Sequence, residues 1–537
     1  MLFSGFSGPF NANKYTFSQL AKSDQLSPYL LLDSIIENRY HKPLTTLTLP
    51  NEFCLGPNQQ KEMEGMRPEQ LTVPVLRMGR LSSAAILLTI VCVQSLPAQD
   101  AQYWNIQYGT RSTLLGGAVI GSVSDLSATY YNPGALGLSR ASGLILSAGV
   151  YEASSSTLEG TGVEKRQTSS FKFNVAPSLL AGRLPADSGA ADRLAYSLIT
   201  RQRASLNLDE RFVGSKQTIP GVRGSGSVSR ELAFVQDVSE MWAGFTWSRP
   251  LGSNIGIGVT TYFALRSQVK GTSLLASALT DSAGVAGLTY FTNYDYYNVR
   301  LLWKAGVAVD LSPLSLGLTL TTPGVNLLGS GSTYVNVMST GVDANGDGIP
   351  DSFFAADFQE SLSSMYRSSW AMGIGVSYQL DKFRFDVSAE WYAAVSRFNV
   401  LEPAPFTGQS TGTPYQNTLS AALAPVLNIG IGVEYDASEN TSWYASVTTD
   451  NSGAQSGSGV NFAISSIDYI NMAGGGIFSI GRSKITLGLG YAFGSSPLSS
   501  TDSSILQAAM GGRYSTATDS KLTSLRFRGI FAFSYAV

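Results

Sequence analysis

Asp343, Asn345, Asp347 and Asp351 place side-chain oxygens at positions 1, 3, 5 and 9 of a short loop, with Gly348 at position 6 and the Ile349 carbonyl at position 7. That is the opening of an EF-hand-like calcium loop, but Phe354 stands at position 12, where a bidentate glutamate would close the shell. The expectation is a weak, structural calcium; an Asp/Asn/Gly turn without metal is the competing reading. A second chemistry belongs to Arg201 and Arg203, spaced so that an extended chain projects both from one face. A guanidinium there could hold a single anionic head group through charge-assisted hydrogen bonds. A solvated lining is the plainer alternative.

Other chemistries are excluded by inventory. The single histidine is His41 and the two cysteines are Cys54 and Cys92. All three precede Gln99, the expected first residue of the mature chain. Disulfides, thiol nucleophiles, His-assisted serine catalysis and His-ligated zinc are therefore not expected, and neither is an enzyme; an outer-membrane phospholipase would need another nucleophile and base. No cofactor is required. A net charge of -2 without Lys/Arg runs offers no footprint for nucleic acid.

The case for Gln99 rests on residues 78–98. Arg77 and Arg80 make a basic start, Ala84–Val93 an apolar middle too short for a spanning helix, and Ala98 a small residue at the cleavage point. A buried helix or internal anchor is the alternative. Signal peptides act from the N-terminus, so residues 1–77 are read as a disordered upstream extension, with Met66 or Met78 as the natural start.

The elements that must position these residues are strands. In Phe383–Trp391 one face is wholly apolar and the other carries Arg384, Asp386 and Glu390. The same period of two runs through Ile485–Phe493, Leu427–Tyr435 and Ile255–Thr260. Charged residues are only 14% of the 537, with 55 glycines and 11% aromatics, which is sparse in charge for a soluble chain of this length. About fourteen strands are expected from 142–157 to 522–537, among them 192–208, 313–337, 361–380, 382–396, 418–437 and 460–480. Short connections alternate with long loops rich in Ser, Gly, Thr and Asn. That alternation, with an even strand number, predicts an all-β fold: a transmembrane antiparallel β-barrel of the bacterial outer membrane over 142–537.

Before the barrel, residues 99–141 include Gly116-Gly117-Ala118, Asp125 and Asn132-Pro133-Gly134. This stretch resembles the N-terminal hatch of the FadL/TodX family of outer-membrane transporters for long-chain fatty acids and other hydrophobic compounds, although Gly134 stands where the family signature has alanine. The resemblance implies a plug inside the lumen and a monomer. It implies ligand capture among extracellular loops, passage to a pocket beside the hatch, and release through the wall at an inward kink of the third strand. The expected function is passive uptake of hydrophobic small molecules, with outer-membrane lipids and the barrel assembly machinery as partners. The alternative is a barrel acting as a protein partner or shuttle in secretion.

Overall fold

A wall one sheet thick, with hydrocarbon outside and an occupied lumen inside, needs side chains of opposite character on its two faces. The computed structural model describes residues 102–139, 143–147, 150–161, 166–176, 178–185, 191–214, 227–280, 284–343, 349–453, 467–498 and 520–535. The expected extension and signal segment lie outside these, as do Asn345 and Asp347.

Fourteen strands form the barrel. β1 is Leu144–Ser147 with Val150–Thr161, β2 Arg166–Ala176 with Leu179–Arg183, β3 Arg193–Gly214, β4 Val228–Leu251 and β5 Ile255–Leu279. β6 is Val285–Leu311, β7 Leu314–Thr321 with Val325–Val342, β8 Asp351–Ser363 with Ala371–Leu380, and β9 Phe383–Tyr392. β10 is Val426–Ser438, β11 Thr441–Asp450, β12 Asp468–Ile480, β13 Ser483–Leu498 and β14 Ser520–Tyr535. Each pairs antiparallel with the next, and β14 returns to β1 through Leu144↔Tyr535 and Val150↔Ile530, so the sheet closes. Tight connections gather at one rim: residues 252–254, 312–313, 381–382, 439–440 and 481–482.

Three stretches differ from expectation: that read as 361–380 starts at Asp351 and is interrupted between Ser363 and Ala371. The stretch 382–396 stays in the wall only to Tyr392, and 418–437 enters it only at Val426. Between them, Val395–Leu401 pairs with Leu419–Leu423 as a separate ladder. Leu419–Leu423 is buried at every position, because both its faces are covered, so alternation could not mark where the wall resumes.

The outward positions carry an apolar coat: Leu318, Ile374, Ile431, Leu489 and Phe527 are all exposed. Near the short-turn rim it becomes aromatic, with Phe383 4.8 Å from Tyr435 and Trp443 6.0 Å from Phe478 between ring centres. A soluble monomer does not expose an apolar surface on this scale, whereas a membrane barrel must. The molecule is an outer-membrane β-barrel.

Its largest apolar core lies inside the lumen. Residues 102–139 fold there with three short helices, α1 (Thr110–Leu114), α2 (Ala128–Tyr131) and α3 (Ala135–Leu138). Leu114, Leu115, Val119, Leu126 and Leu136 pack with wall residues Leu179, Ile199, Tyr262 and Leu302, all nearly inaccessible. A barrel this wide cannot fill its lumen with wall side chains alone. The hatch supplies the missing half of the core.

Candidate functional site

Lumen-facing glycines are the sockets of the hatch. A Cβ on Gly256 would fall 2.2 Å from the Gly134 carbonyl, and one on Gly317 2.0 Å from the Ile120 carbonyl. Gly375 meets the backbone of Gly121, while Gly430 and Gly432 receive Trp104, Ala118 and Leu115. Bare backbone on the inner face lets the hatch main chain lie directly on the wall. Gly116 and Gly117 take φ of +59° and +84°, a left-handed pair that turns the chain between α1 and Ala118. Asn132 then ties the hatch together: its Nδ2 donates to the carbonyls of Ile120 and Val307, each at 3.0 Å, and its Oδ1 accepts from Gly134 N at 3.1 Å. Asp125 works within the hatch, accepting from Ser127 N at 2.9 Å and Thr110 Oγ1 at 3.3 Å.

Charge then bolts the plug to the wall. Arg111 donates through Nε to Glu434 and through Nη2 to Asp386, each at 2.7 Å, and through Nη1 to Ser122 Oγ at 2.9 Å. Burial alone would depress its guanidinium, but the two carboxylates outweigh that and hold it charged. Trp104 Nε1 donates to Glu390 at 2.8 Å, and Arg526 and Arg528 both hold Asn105. The wall charges Asp386, Glu390, Glu434, Arg526 and Arg528 thus act largely as hatch ligands. Cross-strand neutralisation accounts for the Arg384–Glu434 contact at 3.8 Å.

Two cavities are lined jointly by the hatch and the inner wall. One is bordered by Ile106, Ala473, Ile530, Ser178, Thr200 and Arg203. It adjoins a break in the wall: β2 pairs with β3 only from Leu179 to Arg183, Thr200 N donates to Ser178 O at 3.0 Å, and beyond a register shift at Arg201 the two strands share no ladder among the described residues. A second cavity is lined by Arg201, Arg266, Arg300, Lys304, Glu240 and Glu390 among others.

The shift at Arg201 separates the two arginines that the spacing had placed together. Thr200, Arg201 and Gln202 are all buried, so alternation fails locally, and Arg203 emerges exposed at the other cavity. Arg201 makes no carboxylate ion pair among the described residues. Its guanidinium sits 5.7 Å from the ring centres of Tyr103 and Tyr130 and 5.5 Å from that of Trp242. Burial pushes the Tyr103 phenol up to about 12, so this hatch ring stays neutral. Glu240 is already taken, 3.1 Å from Arg266 and 2.8 Å from Arg300, and Glu390 is 3.1 Å from Lys304.

Of the expected calcium ligands, Asp343 is buried, Ile349 is exposed and Asp351 opens β8. No group of three acidic or thiol/imidazole ligands gathers among the described residues.

No family model and no curated protein matches this sequence. Solved structures do. A Pseudomonas aeruginosa FadL homologue superposes with a TM-score of 0.54 at 11% identity, over 81% of this chain and 100% of that one. The Pseudomonas putida toluene transporter TodX gives 0.47 at 14% identity (81% and 100% covered), and the Ralstonia pickettii toluene transporter TbuX 0.45 at 12% (80% and 98%). The first of these establishes a shared fold.

Proposed function

We propose that this barrel of the FadL fold takes hydrophobic small molecules, long-chain fatty acids or hydrocarbons, across the outer membrane without an energy-coupling partner. The observation that carries the reading is the cavity set between the hatch and the place where β3 parts from β2. A ladder-free stretch of wall lets an apolar solute pass from lumen to bilayer without crossing water. The hatch meanwhile blocks the axial path. This supports lateral release at the third strand, and the aromatic-caged Arg201 supports an acidic head group as part of the cargo.

The test is mass spectrometry of ligands retained by the detergent-purified protein, followed by binding to palmitate. Recovery of fatty acids or hydrocarbons is expected; an empty lumen with a bound secreted protein would favour the shuttle instead. Arg201→Leu should weaken palmitate binding about tenfold or more, the size of one charge-assisted hydrogen bond, and leave toluene binding unchanged. Equal loss of both would assign Arg201 to packing.

For loop 343–351 we propose weak calcium binding. With a Kd of about 1 mM, about 10 mM calcium stabilises the folded protein by about 1.4 kcal/mol. The unfolding temperature in detergent should therefore rise relative to chelator, and Asp347→Ala should abolish the rise. A shift that survives Asp347→Ala would place the ion elsewhere.

A further inference from the structure

The wall has a second break, five strands along from the first. β7 and β8 pair below it up to Thr321↔Ala371 and above it from Ser330↔Ser363. Between these rungs, residues 322–329 and 364–370 share no ladder, although β7 keeps its pairing to β6 through Val325↔Leu301 and Asn326↔Arg300. Side chains close the gap instead. Gly324 N donates to Ser368 Oγ at 2.8 Å and Tyr366 N to Asn326 Oδ1 at 3.0 Å, with Asn326 braced from β6 by Asn298 Nδ2 at 2.9 Å. A single long backbone bond, Ser364 N to Gly329 O at 3.3 Å, completes the seam. Such stitches can part locally, whereas a ladder parts only rung by rung along the wall.

The second cavity lies behind this seam, for Thr321, Thr322, Ser368 and Ser369 line it. Its lining holds four cations, Arg201, Arg266, Arg300 and Lys304, against two carboxylates, Glu240 and Glu390. All six are more than nine-tenths buried. Glu240 serves both Arg266 and Arg300, Glu390 serves Lys304, and Arg201 makes no carboxylate ion pair among the described residues, so the lining carries a net charge of +2 in a place where burial makes uncompensated charge costly. Cation–π contacts meet part of that cost: Arg300 lies 4.7 Å from the Tyr366 ring and Lys304 4.6 Å from that of Tyr130. An anion would meet the rest.

Outside the seam the surroundings change character. Val325, Leu327, Leu328, Met365 and Trp370 are all exposed on the lipid side. The eight residues Leu314–Thr321 below the break rise about 20 Å at the usual tilt, which sets it in the outer part of an apolar band about 25 Å tall.

We propose that the break between β7 and β8 is a second lateral port, serving an amphiphile with one acidic head group and one acyl chain. The head group rests against the surplus cations, and the chain passes between 322–329 and 364–370 into the outer part of the bilayer. This rests on the uptake reading above but assigns acidic cargo its own exit, separate from the break at β3.

The port can be locked. A Cβ on Gly324 would lie 3.4 Å from Ser368 Oγ, within reach of a disulfide. In the full chain with Cys54 and Cys92 changed to serine, Gly324→Cys with Ser368→Cys should, when oxidised, cut palmitate uptake by cells at least tenfold. Reductant should restore it, and toluene uptake should stay within twofold throughout. The reduced and oxidised forms of one protein control for folding. If the pair does not oxidise, a short bis-maleimide closes the same lips. Palmitate uptake within twofold of the open form, with the cross-link verified by mass spectrometry, would overturn the port and leave general uptake standing, as would equal loss of both probes. Uptake of neither probe by the unlocked protein would overturn both readings.

Discussion

Arg111→Ala should release the hatch: the expected result is a protein destabilised by about 3–5 kcal/mol whose lumen conducts ions in a planar bilayer, where the parent barrel stays closed. The magnitude follows from what the substitution leaves behind. Asp386 is 1% exposed and Glu434 is 7% exposed, and Arg111 neutralises both at 2.7 Å. Removing the cation leaves two carboxylates in the lumen wall with hydroxyl donors from Ser122 and Tyr444 and, among the described residues, Arg384 at 3.8 Å from Glu434 as the remaining ion-pair partner. The decisive control removes the stranded charge as well. Arg111→Met combined with Asp386→Asn and Glu434→Gln should recover much of the stability, because an apolar or neutral replacement of a whole buried ionic cluster is often tolerated. Heat-modified gel mobility and thermal unfolding in detergent measure the first effect, and single-channel conductance the second. A closed, fully stable Arg111→Ala barrel would show that glycine-on-backbone packing alone retains the plug.

That anchor shows where reading the sequence stops. Strands such as Phe383–Tyr392 and Thr441–Asp450 were legible because lipid imposes one simple rule on every second residue, and short turns at one rim punctuate it. The same alternation marked Asp386, Glu390 and Glu434 as lumenal but could not name their partners. Arg111 lies 275 residues from Asp386 and 323 from Glu434, and only barrel closure brings the three together. The inner-face glycines were visible as small residues, yet their purpose depends on a hatch backbone that arrives from outside the sheet. Arg201 and Arg203 failed to converge for a local reason: one extra residue at the shift flips the facing of everything after it. The break at β8 was hidden because residues 364–370 stay extended and Met365, Tyr366, Ser369 and Trp370 keep an out, in, in, out order that hardly departs from a strand.

Gly134 gives the second large effect, and its direction opposes what family resemblance would suggest. The hatch signature that this stretch resembles has alanine here, so Gly134→Ala looks like a repair. In this barrel the methyl would be driven to 2.5 Å from the Gly306 carbonyl oxygen and 2.6 Å from that of Gly256. Both obstacles are backbone within strand ladders, which cannot rotate away as a side chain would. The strain must fall on the hatch, lifting α3 from the wall and stretching the bonds by which Asn132 holds Val307 O and Gly134 N. Overpacking of this kind costs about 1–3 kcal/mol, so Gly134→Ala should lower the unfolding temperature and quicken proteolysis between α2 and α3. The reciprocal substitution Gly256→Ala attacks the same contact from the other side, where the Gly134 carbonyl would lie 2.2 Å away. The two should therefore act alike, and the double variant should cost less than the sum, since a hatch already lifted by one methyl makes room for the other. Full additivity would mean that the two glycines are not partners in one contact, and the docking of hatch backbone on bare wall would have to be redrawn.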